Sequence, residues 1–166
     1  MTKQHSNSVV KIKSMNESDA LLRQFVGYRM KRIYMLIQED MTRVLEPFGL
    51  RIGTFSALAV LMDSPGISQT QLSRILNIKR SGVVVVVDEL ENVGALERRP
   101  VANDRRVYAL HVTSAGITLW ERAERAVQGH ETAMFSELDT DDIEQLQMLL
   151  GRAIKSVSGR GESDKK

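Results

Sequence analysis

The stretch SQTQLSRILNIKRSGVVVVVDELENVGALERRPVANDRRVYALHVTSAG, residues 68–116, decides how this chain folds. Ser68 and Gln71 make an S-x-x-Q pattern just before Leu72 and Ile75, the capping-box start of a short helix ending near Leu76. After a tight connection at Asn77 and Ile78, a second segment begins at Lys79 or Arg80 and runs to about Asn92, with Gly94 as its C-terminal stop. Its interior is VVVVV at 83–87, which on propensity alone reads as a buried strand, because β-branched side chains favour sheets. Helical phasing, however, sets Val83, Val86, Val87 and Leu90 on one stripe, and the run flows into DELENVG, a good helix ending. Context therefore selects helix. Beyond it, 96–99 and 107–112 read as two short strands joined by PVANDRR, a turn-rich basic loop.

Outward from this stretch the pattern is helical. Upstream, Leu22, Phe25, Val26, Ile33, Leu36, Ile37, Val44 and Leu45 recur at helical spacing, predicting one long helix over 18–46. A second helix follows over 53–63, closed by SPG at 64–66. Downstream, a long helix starts within 113–116 and carries Ile117, Trp120, Ala123, Val127, Met134 and Phe135 on one face. A last helix has Asp139 at its N-cap, Asp142 near its third position, and Leu146, Leu149, Leu150 and Ile154 as its apolar stripe. Residues 1–17 and the tail from Ser158 are polar, without periodicity, and read as frayed ends.

The 166 residues are 42% hydrophobic and 27% charged, the composition of a soluble globular protein. No apolar run approaches the roughly 20 residues of a membrane-spanning helix, and no secretory signal is visible at the N-terminus. The expected location is the cytoplasm, with no membrane partner. The absence of cysteine removes disulfides, thiolate nucleophiles and thiol redox switching together. His5, His111 and His130 are scattered and match no metal-ligand motif, and no cofactor is implied. An enzyme is disfavoured: there is no phosphate-cradling glycine loop, metal-ligand array or nucleophile–base pair. Arg98, Arg99, Arg105 and Arg106 fall close together, whereas Asp139, Asp141, Asp142 and Glu144 cluster far from them, as suits one DNA-facing side.

A mainly α chain in which short helix, tight turn and second helix are followed by a two-stranded basic hairpin is a winged helix-turn-helix. A helix fits the major groove, while arginines on a projecting hairpin enter the minor groove or clamp phosphates. Ser68, Gln69, Lys79, Arg80, Ser81, Val84, Val85, Arg98, Asp104, Arg105 and Arg106 are the candidate DNA contacts. Phasing puts Ser81, Val84, Val85 and Asp88 away from the core stripe. Val84 and Val85 donate no hydrogen bond and either pack on thymine methyls or against neighbouring protein. Lys79 and Arg80 start a helix whose N-terminus favours a phosphate. By themselves, Asp104 and Arg106 read as a surface ion pair that stabilises the turn.

DELENVGALERRPVANDRRVYALHVTSAG also resembles the recognition-helix end, wing and following helix start of MarR-type regulators, whose pattern is D-x-L-E, G-L-[VI]-x-R, D-x-R, a strand, then L-T-x-x-G. The matching residues are Asp88, Leu90, Glu91, Gly94, Arg98, Asp104, Arg106, Val112, Thr113 and Gly116, and the resemblance spans about 20–155. Ala95 and Leu96 follow Gly94 where the family more often has Leu and then Val or Ile. The resemblance implies a homodimer on a palindromic site, with Arg106 entering the minor groove, Asp104 orienting it, and Arg105 on a phosphate. It implies dimerisation helices at 18–50 and 114–157 around a winged domain at 51–113, between tails at 1–17 and 158–166. It further implies a ligand-responsive regulator, a repressor released by a small molecule. Tyr28, Arg29, Arg32, Tyr34, Phe55 and Trp120 are the candidate lining residues. D-E-L-E with D-R-R-x-Y-A-L-H is similar to a subgroup sensing hydroxycinnamoyl-CoA thioesters, which makes an aromatic acid or acyl-CoA the expected effector. The competing reading is a ligand-independent architectural DNA binder.

Overall fold

In the computed structural model, residues 19–101 and 104–158 are described, without the side chains of 104–107 and 158. The tail expected at 1–17, His5 with it, and residues 159–166 lie outside the described residues. In chain order the elements are α1 (Ala20–Arg23), α2 (Val26–Leu45), α3 (Ile52–Asp63), α4 (Gln69–Leu76), α5 (Arg80–Asn92), β1 (Leu96–Val101), β2 (Asp104–Val112), α6 (Ser114–Met134) and α7 (Thr140–Ser158). The valine run is helical. Val83, Val87 and Leu90 are fully buried and Val86 nearly so, because the 3.6-residue period gathers them into one stripe facing α3. They join Leu45, Leu50, Ala57, Leu58, Leu61, Leu72, Ala95, Leu96, Leu110 and Ala123 in a single core.

Local chemistry sets the element ends. Ser68 caps α4: its Oγ accepts from the Gln71 N–H at 3.3 Å, and the Gln71 Oε1 accepts from the Ser68 N–H at 2.9 Å. At the other end Asn77 takes the left-handed conformation (φ 52°), with the Asn77 and Ile78 amides donating to Arg74 and Ser73. That closure makes the sharp turn into α5. Gly94 (φ 69°) ends α5 the same way, with the Gly94 and Ala95 amides donating to Glu91 and Leu90. Asp139 and Asp142 cap α7 reciprocally, each carboxylate accepting from the other's backbone N–H, at 2.9 and 3.3 Å.

Two expectations need correction, and one contact is new. The helix expected over 18–46 is interrupted at Gln24 and Phe25, because Phe25 is extended (φ −90°, ψ 125°) where α2 begins. The loop expected at 100–106 is in part strand, and residues 102–103 lie outside the described residues. Pro100 and Val101 extend β1, and β2 already starts at Asp104. Pro100 is tolerated because a two-stranded hairpin has free edges that need no donor. Finally, β2 has a second neighbour: the Leu110 amide donates to the Ile67 carbonyl and the Gly66 amide to the Leu110 carbonyl, both at 2.9 Å. This bridge, which also pairs Ser68 with Ala109, fastens the wing to the entrance of α4.

Candidate nucleic-acid interface

α5 buries one side against α3 and leaves the other uncovered. Ser81 is exposed, and Val84 and Val85 are 41% and 49% exposed. Val84 and Val85 are thus half open on this face, where the sequence reading left either a base contact or packing against protein. The outward face is therefore almost without hydrogen-bonding groups at its centre, and polar groups lie at its N-terminal end. Lys79, at the N-cap, and Arg74, on α4, are exposed and make no ion pair among the described residues. The α5 N-cap has no side-chain hydrogen bond, and with the Gly82 and Val83 amides donating to the Lys79 carbonyl, the amides of Arg80 and Ser81 are the ones left as donors at this end. Arg80 is exposed and donates from Nη2 to the Thr70 Oγ1 of α4 at 2.8 Å. Ser68 and Gln69 stand half-buried at the α4 start, Ser68 using its side chain as the cap.

Other arginines are bound within the protein. Arg98, on β1, reaches back to α5, donating from Nη1 to Glu91 at 2.5 Å and from Nη2 to Asp88. Its side chain is only 25% exposed. Arg98, expected as a DNA contact, ties the wing base to the helix in this structure. Arg51 makes a two-pronged pair with Glu89, at 2.7 and 2.5 Å, linking the α3 start to the far side of α5. The C-terminal half of α5 is thus clamped by one arginine from α3 and one from the wing. Arg99 pairs with Glu97 along β1. The side chains of Asp104, Arg105 and Arg106 lie outside the described residues. Their backbone is placed at the start of β2, at the far end of the hairpin from the core.

The wing's other end is joined to α6 by close packing. Thr113 accepts from the Gly116 N–H at 3.0 Å and donates to the Gly94 carbonyl at 2.6 Å, while its own N–H donates to Ala95. One threonine thereby links the end of α5, the wing and the start of α6.

The six candidate ligand residues separate into distinct places. Around the α1–α2 break, Asp19 accepts from the Tyr28 hydroxyl at 2.7 Å and from the Arg23 Nε at 2.5 Å, with the Arg32 Nη1 at 3.6 Å. The hydrogen bond from Tyr28 is the largest cause holding the Asp19 carboxyl below its ordinary pKa, and the Arg23 and Arg32 charges act in the same direction. Arg29 donates to the Arg23 carbonyl at 2.6 Å. Tyr34 is exposed and accepts from Gln38. Phe55 and Trp120 stack at 4.9 Å between centroids, joining α3 to α6 beside the core. Two open clefts, of about 620 and 400 Å³, lie at the α6–α7 corner and between the α3 start and the α5 end. Neither is lined by any of the six. Thr70 was missed from sequence, since its link to Arg80 crosses a turn and leaves no periodic signal.

Comparison with known proteins agrees with this geometry. A model described as MarR family matches residues 48–107. The transcriptional regulator PecS of Dickeya dadantii is 30% identical over 131 residues, covering 77% of this chain and 79% of that protein. A transcriptional repressor of Mycobacterium tuberculosis is 26% identical over 125 residues, covering 75% and 90%. Among solved structures, the transcriptional repressor CouR bound to a 23-mer DNA duplex is 30% identical with a TM-score of 0.78, covering 82% of this chain and 96% of that one. CouR bound to p-coumaroyl-CoA is 27% identical with a TM-score of 0.73, covering 84% and 97%.

Proposed function

The chain belongs to the MarR family of transcriptional regulators, and on that premise we propose that it is a homodimeric repressor of the cytoplasm, without enzymatic activity, that holds a palindromic operator until a small effector releases it. The observation that carries this reading is the uncovered outer face of α5, with cations at its N-terminal end and a hairpin fastened beside it. A helix with such a face, flanked by a strand pair, enters a major groove while the hairpin reaches the next minor groove.

Lys79 and the open amides of α5 take a phosphate, which the helix dipole favours. Ser81, Val84 and Val85 face the base edges, and the valines pack on thymine methyls. Asp104, Arg105 and Arg106 make the wing contacts, Arg106 in the minor groove. Arg98 is left out of the DNA contacts and acts as the tie between wing and helix. Dimerisation is supported by apolar surface on the terminal helices: Val26, Met30 and Ile33 on α2, and Met148, Ile154 and Val157 on α7, are all exposed.

For the effector we propose an aromatic acid or its CoA thioester. Support comes from the similarity to a repressor solved with p-coumaroyl-CoA, and from two separate groups suited to the parts of such a ligand. Arg29 and Arg32 would meet its anionic portion, Tyr28 and Tyr34 standing near them on α2, and the Phe55–Trp120 stack its ring. Release requires that the ligand bind one arrangement of the two DNA-reading domains better than the other.

Footprinting on the gene's own upstream DNA, repeated with aromatic acids and their CoA thioesters, tests the whole. A protected palindrome that is lost with one ligand class is the expected result. Protection of no specific site refutes the regulator reading, and a protected region indifferent to every ligand favours an architectural binder.

A further inference from the structure

We propose that Arg80, held in place by Thr70, is the residue that reads a guanine in each half-site. This deepens the operator-binding reading above and rests on it. The outer face of α5 offers bases little else with which to distinguish guanine. Val84, one turn after Arg80 on the same row, and Val85 are exposed and apolar, and Ser81 carries one hydroxyl that any base edge can satisfy. Arg80 is thus the strong donor on the row that faces the groove.

Its geometry separates it from the neighbouring cations. Lys79 and Arg74 are exposed, without an ion pair among the described residues, as phosphate contacts need only charge. Arg80 is anchored instead by a neutral oxygen, the Thr70 Oγ1 at 2.8 Å. That bond leaves the positive charge unneutralised, selects one rotamer from many, and still leaves most of the planar donor fork free. A fixed fork of this kind matches the O6 and N7 acceptors of guanine in the major groove. It also avoids the ordering entropy that a free arginine loses on binding. Thr70 is therefore a positioning residue, acting through Arg80 from the neighbouring helix.

The test uses the full chain and the duplex that footprinting identifies, with binding followed by fluorescence anisotropy at several salt concentrations. Each half-site guanine is replaced in turn by 7-deazaguanine, which keeps Watson–Crick pairing and removes the N7 acceptor. One guanine per half-site is expected to weaken wild-type binding by about 10-fold or more and to have no effect on Arg80→Ala. Thr70→Val is expected to lose much of that sensitivity and Thr70→Ser to retain it, both with an unchanged salt slope. Lys79→Ala should weaken every duplex equally and lower the slope by about one. If Arg80→Ala instead weakens all duplexes alike with a lower slope, Arg80 is a phosphate contact and the inference falls while the operator reading stands. Equal guanine sensitivity in Thr70→Val and wild type removes the positioning role. If no duplex is specifically protected at the outset, both readings fall.

Discussion

At the scale of single residues, Val84 and Val85 separate function from folding most cleanly, because both are half-exposed while their neighbours Val83, Val86 and Val87 are in the core. Trimming either to alanine removes contact area without opening a cavity. Val84→Ala and Val85→Ala are each expected to weaken a thymine-containing operator by about fourfold, the worth of roughly one methylene removed from water at ~0.8 kcal/mol. On the same operator with uracil for thymine the loss should vanish, and equal losses on both duplexes would exclude methyl contact. Arg98 behaves in the opposite sense. With its guanidinium shared between Asp88 and Glu91 and its side chain largely covered, Arg98→Met is expected to cost about 1–2 kcal/mol of stability. That is a drop of several degrees in Tm for a protein of this size, with the salt slope of DNA binding unchanged. A slope lowered by about one would return Arg98 to the phosphate contacts. The sequence showed Arg98 as one of several arginines in a basic stretch. Its partners lie seven and ten residues away on another element, and spacing along one chain does not reveal them.

At the scale of elements, the decisive joints are where helices meet the wing and where α1 meets α2. Gly116 sits so close to the wing that an added Cβ would stand 2.0 Å from the Ala95 oxygen and 2.7 Å from a Val112 methyl. Gly116→Ala is therefore expected to destabilise by more than about 3 kcal/mol, read by urea unfolding, since backbone cannot yield as a side-chain tip does. A loss under about 1 kcal/mol would show that α6 slides on the wing at little cost. The α1–α2 corner depends on Asp19. Its carboxyl titrates lower in the folded chain than in the unfolded one, Tyr28's hydrogen bond being the leading cause. Its contribution is thus fully present above the ordinary carboxylate pKa and is lost as pH falls from there through the lower folded value. Amide exchange over residues 20–24 should be slower in wild type than in Asp19→Asn at pH 7, and the difference should vanish in acid. A difference that stays at its full pH 7 size in acid strong enough to protonate the carboxyl completely would assign the corner to something other than the ionised carboxylate. Periodicity carried the long segment straight through this corner, because Leu22, Phe25 and Val26 keep helical spacing across the break.

At the scale of the whole molecule, α7 buries none of its described residues, and Ile154 and Val157 are 65% and 72% exposed. A second copy is the covering we propose. Ile154→Glu with Val157→Glu is expected to give a helical monomer by sedimentation, with binding to a palindromic operator lost or greatly weakened; a variant that stays dimeric would move the interface elsewhere. The sequence by itself determined the helix order, the caps at Ser68 and Asp139, the stop at Gly94, and the choice of helix for the valine run. All of these follow from patterns within a few residues, where backbone sterics and the period of the helix decide. It also marked the outer face of α5, since one face of a helix is set once the other is assigned to the core. Only the tertiary structure decided which arginines are engaged in holding the fold and which remain open to a partner. It alone broke the first helix at Phe25, fastened the hairpin to Ile67, and set Thr70 beside Arg80. Each of those outcomes depends on contacts between elements brought together by burial of the shared core, and the geometry of such contacts is not written in local spacing.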